Sequence, residues 1–120
     1  MSSVKDTIQA VPFVSIASTA LTNVYQPVNP LGLPHACFLL RITNFGTTLI
    51  GISFDGISPY DQIPAGGVME VYGGIGSSQP SNKNCLWAKG TVIYVVGTAG
   101  ASGVIGVSAK FQPINYLPGV

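Results

Sequence analysis

The chain has 120 residues, of which 47% are hydrophobic and only 8% charged, and its formal net charge is +1. That length fits a single domain, in which folding buries roughly two-thirds of the surface of the unfolded chain, so a core can form without metals or disulfides. Soluble domains ordinarily carry ~25% charged residues, and the shortage here points to a surface that meets other protein as much as water.

The five basic residues, Lys5, Arg41, Lys83, Lys89 and Lys110, are scattered. Nucleic-acid binders cluster such residues to neutralise phosphates, so nucleic acid is not expected as a direct partner. No membrane span is expected either: the apolar runs Ala36–Leu40 and Val92–Val96 are far short of the ~20 residues a bilayer demands. Val11 to Ala20 is apolar and ends in small residues. Asp6 and Gln9 precede it and Pro12 breaks it, which does not suit a secretory leader. The segment reads as part of the fold, and the protein as made in the cytoplasm.

Short runs of β-branched and aromatic residues, separated by Gly, Pro, Asn and Asp, predict strands and turns rather than helices. In chain order, a first strand is expected over about Phe13 to Asn23. The stretch from Gln26 to Pro34 holds three prolines, which cannot donate to a sheet ladder, and reads as an irregular crossing loop. A second strand covers His35 to Asn44, with Ala36, Phe38, Leu40 and Ile42 on one face and Cys37, Leu39, Arg41 and Thr43 on the other. Thr48 to Phe54 is the third, closed by the tight turn Asp55-Gly56. A loop through Pro59, Tyr60 and Asp61 leads to the turn Pro64-Ala65-Gly66-Gly67 and a fourth strand, Val68 to Tyr72.

Gly73 to Asn84 is a long polar loop. Cys85-Leu86-Trp87 reads as a brief strand, followed by the turn Lys89-Gly90. Thr91 to Val96 and Gly103 to Gln112 are expected to form a final pair. Met1 to Pro12 and Pro113 to Val120 are irregular arms flanking one domain. Seven to eight short strands make an all-β antiparallel sandwich, jelly-roll-like, the expected architecture. Val92, Tyr94 and Val96 oppose Ile93 and Val95, so this strand is apolar on both faces. A neighbouring subunit would explain that; loops covering a central strand are the alternative.

The residues that carry chemistry are sparse. The single histidine, His35, opens a strand after Pro34 and reads as a capping or surface residue. Asp55 and Asp61 are the only acids close in sequence. Ile57 and Pro59 stand where a calcium loop would place oxygen ligands, so Asp55 reads as a turn residue. Gly51-Ile52-Ser53-Phe54-Asp55 falls one glycine short of a nucleophile elbow, and no histidine follows it to act as base. Gly73-Gly74-Ile75-Gly76 has neither phosphate-loop nor dinucleotide spacing. Cys37 and Cys85 lack metal-ligand spacing and read as reduced thiols, a disulfide being the alternative. No catalytic residue, metal or cofactor is expected. The polar loop Gly73–Asn84 beside Trp87 could hold a sugar; a plain surface loop with Trp87 in the core is the preferred reading.

The C-terminal arm carries Ile114, Tyr116, Leu117 and Val120, an apolar load that must pack on something, while Pro113 and Pro118 take it off the sheet. It is expected to be an assembly contact with Tyr116 and Leu117 as anchors.

Several turn and strand phrases share one pattern: Ile42-Thr43-Asn44, Ile52-Ser53-Phe54-Asp55-Gly56 and Ile63-Pro64-Ala65-Gly66-Gly67. They continue in Ala88-Lys89-Gly90-Thr91-Val92-Ile93-Tyr94-Val95-Val96-Gly97 and close on Gly103-Val104-Ile105-Gly106-Val107. Over about Arg41 to Phe111 the chain resembles small virion structural proteins of tailed bacteriophages. The resemblance implies a β-sandwich subunit of the virion, foremost a capsid decoration (cement) protein, with no catalytic residues to carry over. The expected partners are a major capsid protein or neck and tail proteins, together with further copies of the chain in a homo-oligomer such as a trimer. A neck or tail component is the near alternative, and a carbohydrate-binding module for host recognition is the alternative of another class.

Overall fold

Runs of β-branched residues cut by Gly, Pro and Asn can support only short strands. The computed structural model, which describes residues 9–72 and 87–111, contains nine of them. They are β1 (Gln9–Ala10), β2 (Val14–Ala17), β3 (Gln26–Pro27), β4 (Leu39–Asn44) and β5 (Ile50–Ser53), then β6 (Asp61–Ile63), β7 (Val68–Tyr72), β8 (Tyr94–Gly97) and β9 (Val104–Phe111). A single 3-10 turn, Ser18–Ala20, follows β2.

All pairings are antiparallel. One sheet runs β2-β9-β4-β7, with β1 pairing further along the same side of β9; the other runs β3-β8-β5-β6. From β2 to β9 every connection crosses between the sheets except β5 to β6. This interleaving of two Greek keys is a jelly roll, a form of the expected all-β sandwich. The core lies between the sheets. Leu40, Ile42, Ile105 and Val107 enter it from one side, and Ile50, Ile52, Ile63 and Val95 from the other, all of them buried. Each such side chain contributes about 1.5–3 kcal/mol relative to exposure.

Two buried amides pin the connections. Asn44, at the end of β4, donates from Nδ2 to the carbonyls of Thr48 (2.8 Å) and Ile63 (3.0 Å), and its Oδ1 accepts from the Gly46 N–H. It thereby ties one sheet to the other, and a buried amide left without such partners would be costly. Asn29 holds the proline-rich loop in the same way, donating to the Thr91 carbonyl and accepting from the Ile93 N–H at 2.7 Å.

Several expected boundaries are corrected. Phe13–Asn23 is not one strand: β2 is confined to Val14–Ala17 and the 3-10 turn ends it. Gln26 and Pro27, expected in a loop, form β3 at a sheet edge, where the missing proline N–H points away from the ladder. Asp61–Ile63, also expected in a loop, is edge strand β6. The last two strands do not pair with each other. β8 lies between β3 and β5, β9 lies in the other sheet, and the segment from Thr98 to Gly103 crosses between them. Thr91–Ile93 stays outside β8 because Leu33, Val28 and Asn29 take its backbone groups.

The second strand starts at Leu39 rather than His35; from there on its faces are as expected, but ahead of it they are exchanged. The Phe38 N–H donates to the Lys110 carbonyl, although Leu39 is the residue paired with Lys110. This bulge puts Cys37 in the core with Leu40 and leaves Ala36 exposed.

Candidate interaction surfaces

The residues with chemical potential are occupied structurally. The exposed His35 stacks on Phe111, the last residue of β9, with ring centroids 3.9 Å apart and planes 12° from parallel. Asp55 closes the turn after β5. Its Oδ1 accepts from the backbone N–H groups of Ile57 and Ser58, each at 2.8 Å, and from the Ser53 hydroxyl at 2.9 Å, while Oδ2 accepts from the Tyr60 hydroxyl. The Ser58 and Ile57 N–H groups, with Ser53, hold this carboxyl well below the usual carboxylate range. Ser53 is fully buried and engaged with Asp55 and Gly56, so it is not poised as a nucleophile.

Cys37 is a buried free thiol that donates to the His35 carbonyl, and burial pushes its pKa up. Cys85 lies outside the described residues. Among the described residues no group of three metal-ligating side chains comes together, and no helix is long and apolar enough to cross a membrane.

Trp87 forms an isolated bridge with Cys37, donates its indole N–H toward the Val71 carbonyl and packs its ring 5.0 Å from that of Phe54. It is half-buried against the core, so its ring is not a free stacking platform. The Gly73–Asn84 loop beside it lies outside the described residues. So do Ile114, Tyr116, Leu117 and Val120, the expected assembly contacts.

The outer face of the β2-β9-β4-β7 sheet carries what the sequence did not reveal. Gly106 of β9 is paired with Thr43 of β4, and Thr43 with Val68 of β7. The Phe13 ring lies directly over Gly106, in space that a side chain there would fill. Phe45 extends the same face beyond β4, its N–H bonded to the Val104 carbonyl. Phe13, Phe45 and Val68 are 55%, 59% and 53% exposed, and the register sets them within one or two side-chain spacings of one another. Farther along, Arg41 pairs with Glu70 and makes that end polar. A small residue in β9 with an aromatic preceding β2 was the signal in the sequence, visible only once the register is known.

The strand expected to be apolar on both faces, around Val92–Val96, is covered in part by its own chain. Gly56 in the Asp55 turn sits on the Tyr94 ring, and Val96 is half-buried beside Gly51. The described residues also form concavities. An apolar groove of about 280 Å³ lies between Val11, Pro12 and Val14 on one side and Leu31 and Leu33 on the other, and Leu31 is 97% exposed at its rim. A shallower depression of about 580 Å³ lies on the outer face of the β3-β8-β5-β6 sheet, over Gly51.

No protein-family model matches the chain, and no curated protein does.

Proposed function

We propose that the chain is a structural subunit of a bacteriophage virion, foremost a capsid decoration protein, which acts through protein–protein contacts as a homo-oligomer. The observation that carries this reading is the apolar outer face formed by Phe13, Phe45 and Val68, three large side chains more than half exposed in one patch. Such patches on otherwise well-packed domains mark interaction surfaces. The 8% charge points the same way.

Jelly-roll domains recur in viral capsids, which agrees with the reading, although a fold alone assigns no role. The resemblance across Arg41–Phe111 supplies the bacteriophage context. A neck or tail component would use the same surfaces. The C-terminal arm, with Tyr116 and Leu117 as anchors, is proposed as a second contact to a neighbour. Identification of the chain as a fixed-stoichiometry component of purified particles tests this reading; its absence from them ends it.

A further inference from the structure

We propose that the depression on the outer face of the β3-β8-β5-β6 sheet is a binding site for a neutral saccharide, one pyranose unit in size. The inference does not depend on the virion reading.

The site begins with a missing side chain. Gly51 in β5 is paired with Val96 of β8 on one side and Gln62 of β6 on the other. On the outer face this row reads Val96, Gly51, Gln62, and continuing the β3–β8 register by one residue brings Tyr25 beside Val96. Glycine keeps the floor low, with a Val96 methyl leaning over it, 3.1 Å from where a Cβ would stand, and Leu49 beside it. Pro59, which follows the Asp55 turn, and Thr98 also line the depression. The turn is held by six hydrogen bonds to or within its own residues, which fixes the backbone that leads into Pro59. The volume, about 580 Å³, lies within the range of small-ligand sites.

The lining sets the ligand class. Tyr25 offers a ring and a hydroxyl, and Gln62 an amide that both donates and accepts. Asp61 pairs with the core-facing Ile52, so its side chain belongs to the other face and only its backbone edges the site, while its Oδ1 accepts from the Gln62 N–H. Among the described residues no lysine or arginine lines the site, so phosphates and carboxylates find no counter-charge there. An apolar floor edged by uncharged donors and acceptors matches a pyranose, which has apolar C–H faces and a rim of hydroxyls.

The test is a titration of the full chain, followed by backbone amide NMR, with glucose, galactose, mannose and N-acetylglucosamine and with their disaccharides, at millimolar concentrations. At least one of these sugars is expected to give saturable shifts at Gly51, Gln62 and Val96. Those shifts are expected to be lost in Gly51→Val, which fills the floor, and in Gln62→Ala, an edge-strand change that leaves the core untouched. Disaccharides binding more tightly than monosaccharides would identify a polymer as the source. The absence of saturable shifts with every sugar, or shifts confined to another surface, overturns the proposal. So do shifts at this row that depend on protein concentration alone, which would make the face a contact between copies. A saccharide response is independent of whether the chain is found in particles, so failure here and failure of the virion reading are separate results.

Discussion

Phe13 lies on Gly106. The ring precedes β2, the glycine is in the middle of β9, and an added Cβ at position 106 would fall inside the ring. Gly106→Ala is therefore expected to lift Phe13 off the sheet and to cost about 1–3 kcal/mol, the usual range for overpacking. Phe13→Ala alone removes a half-exposed ring and should cost less. The double variant should recover most of the loss, a coupling that denaturant unfolding of all four proteins would measure. Additive effects would show that the two residues do not meet.

The turn after β5 makes a prediction about pH. Asp55 is held below its ordinary value of 3.8, mainly by the Ser58 and Ile57 N–H groups, so the folded form favours the carboxylate. Its contribution is present above the unfolded pKa and is lost only as pH falls through the lower folded value. Tyr60 is raised above 10.0 by its hydrogen bond to Asp55 and by that charge, so its contribution is complete below the unfolded value and fades as pH rises through the folded one. NMR titration should find the Asp55 carboxyl carbon still ionised where free carboxylates protonate. Asp55→Asn should return the Tyr60 titration toward 10.0. An ordinary Asp55 midpoint would contradict the hydrogen-bonded turn.

Cys37 is buried and its pKa is raised, which removes both access and thiolate character. Alkylation of the native protein is expected to spare it. After denaturation, two thiols should react equally with and without reductant. A second thiol that appears only after reduction would establish a disulfide to Cys85.

The C-terminal arm separates stability from assembly. Buried on a neighbour, its four apolar side chains would contribute on the order of 1.5–3 kcal/mol each before ordering costs. Among the described residues the core cluster spans both sheets and reaches Phe111. Deletion of residues 113–120 should leave the unfolding temperature nearly unchanged and convert the sedimenting species to monomer. A truncated chain that unfolds, or that still assembles, would show that the arm has another role.

The architecture was legible in the sequence where local chemistry decides it. Val68–Tyr72 is read to the residue because Gly66 and Gly67 supply the turn before it, Gly66 with φ near 77°. The Asp55-Gly56 turn is equally local. What was lost depends on partners distant in sequence. Pro27 looks incompatible with a strand until Val95 and Tyr94 make it an edge. Thr91–Ile93 looks like a strand until Asn29 claims its backbone. The bulge at Phe38 moves Cys37 into the core, and no periodicity in the sequence announces it. The surfaces follow the same rule. The row Val96, Gly51, Gln62 and the patch Phe13, Phe45, Val68 are set by register across strands far apart in the chain.

In the role proposed for it, this chain is a stoichiometric part of a virion. Quantitative mass spectrometry of particles purified through two density gradients from an infected culture tests it most directly, with the major capsid protein as the internal standard. The proposed role predicts the chain at a constant ratio to capsid protein across the particle peak, and its loss from that peak when Phe13 and Phe45 are both replaced by serine. A chain that remains in the soluble fraction, with no constant ratio to capsid protein, would contradict it.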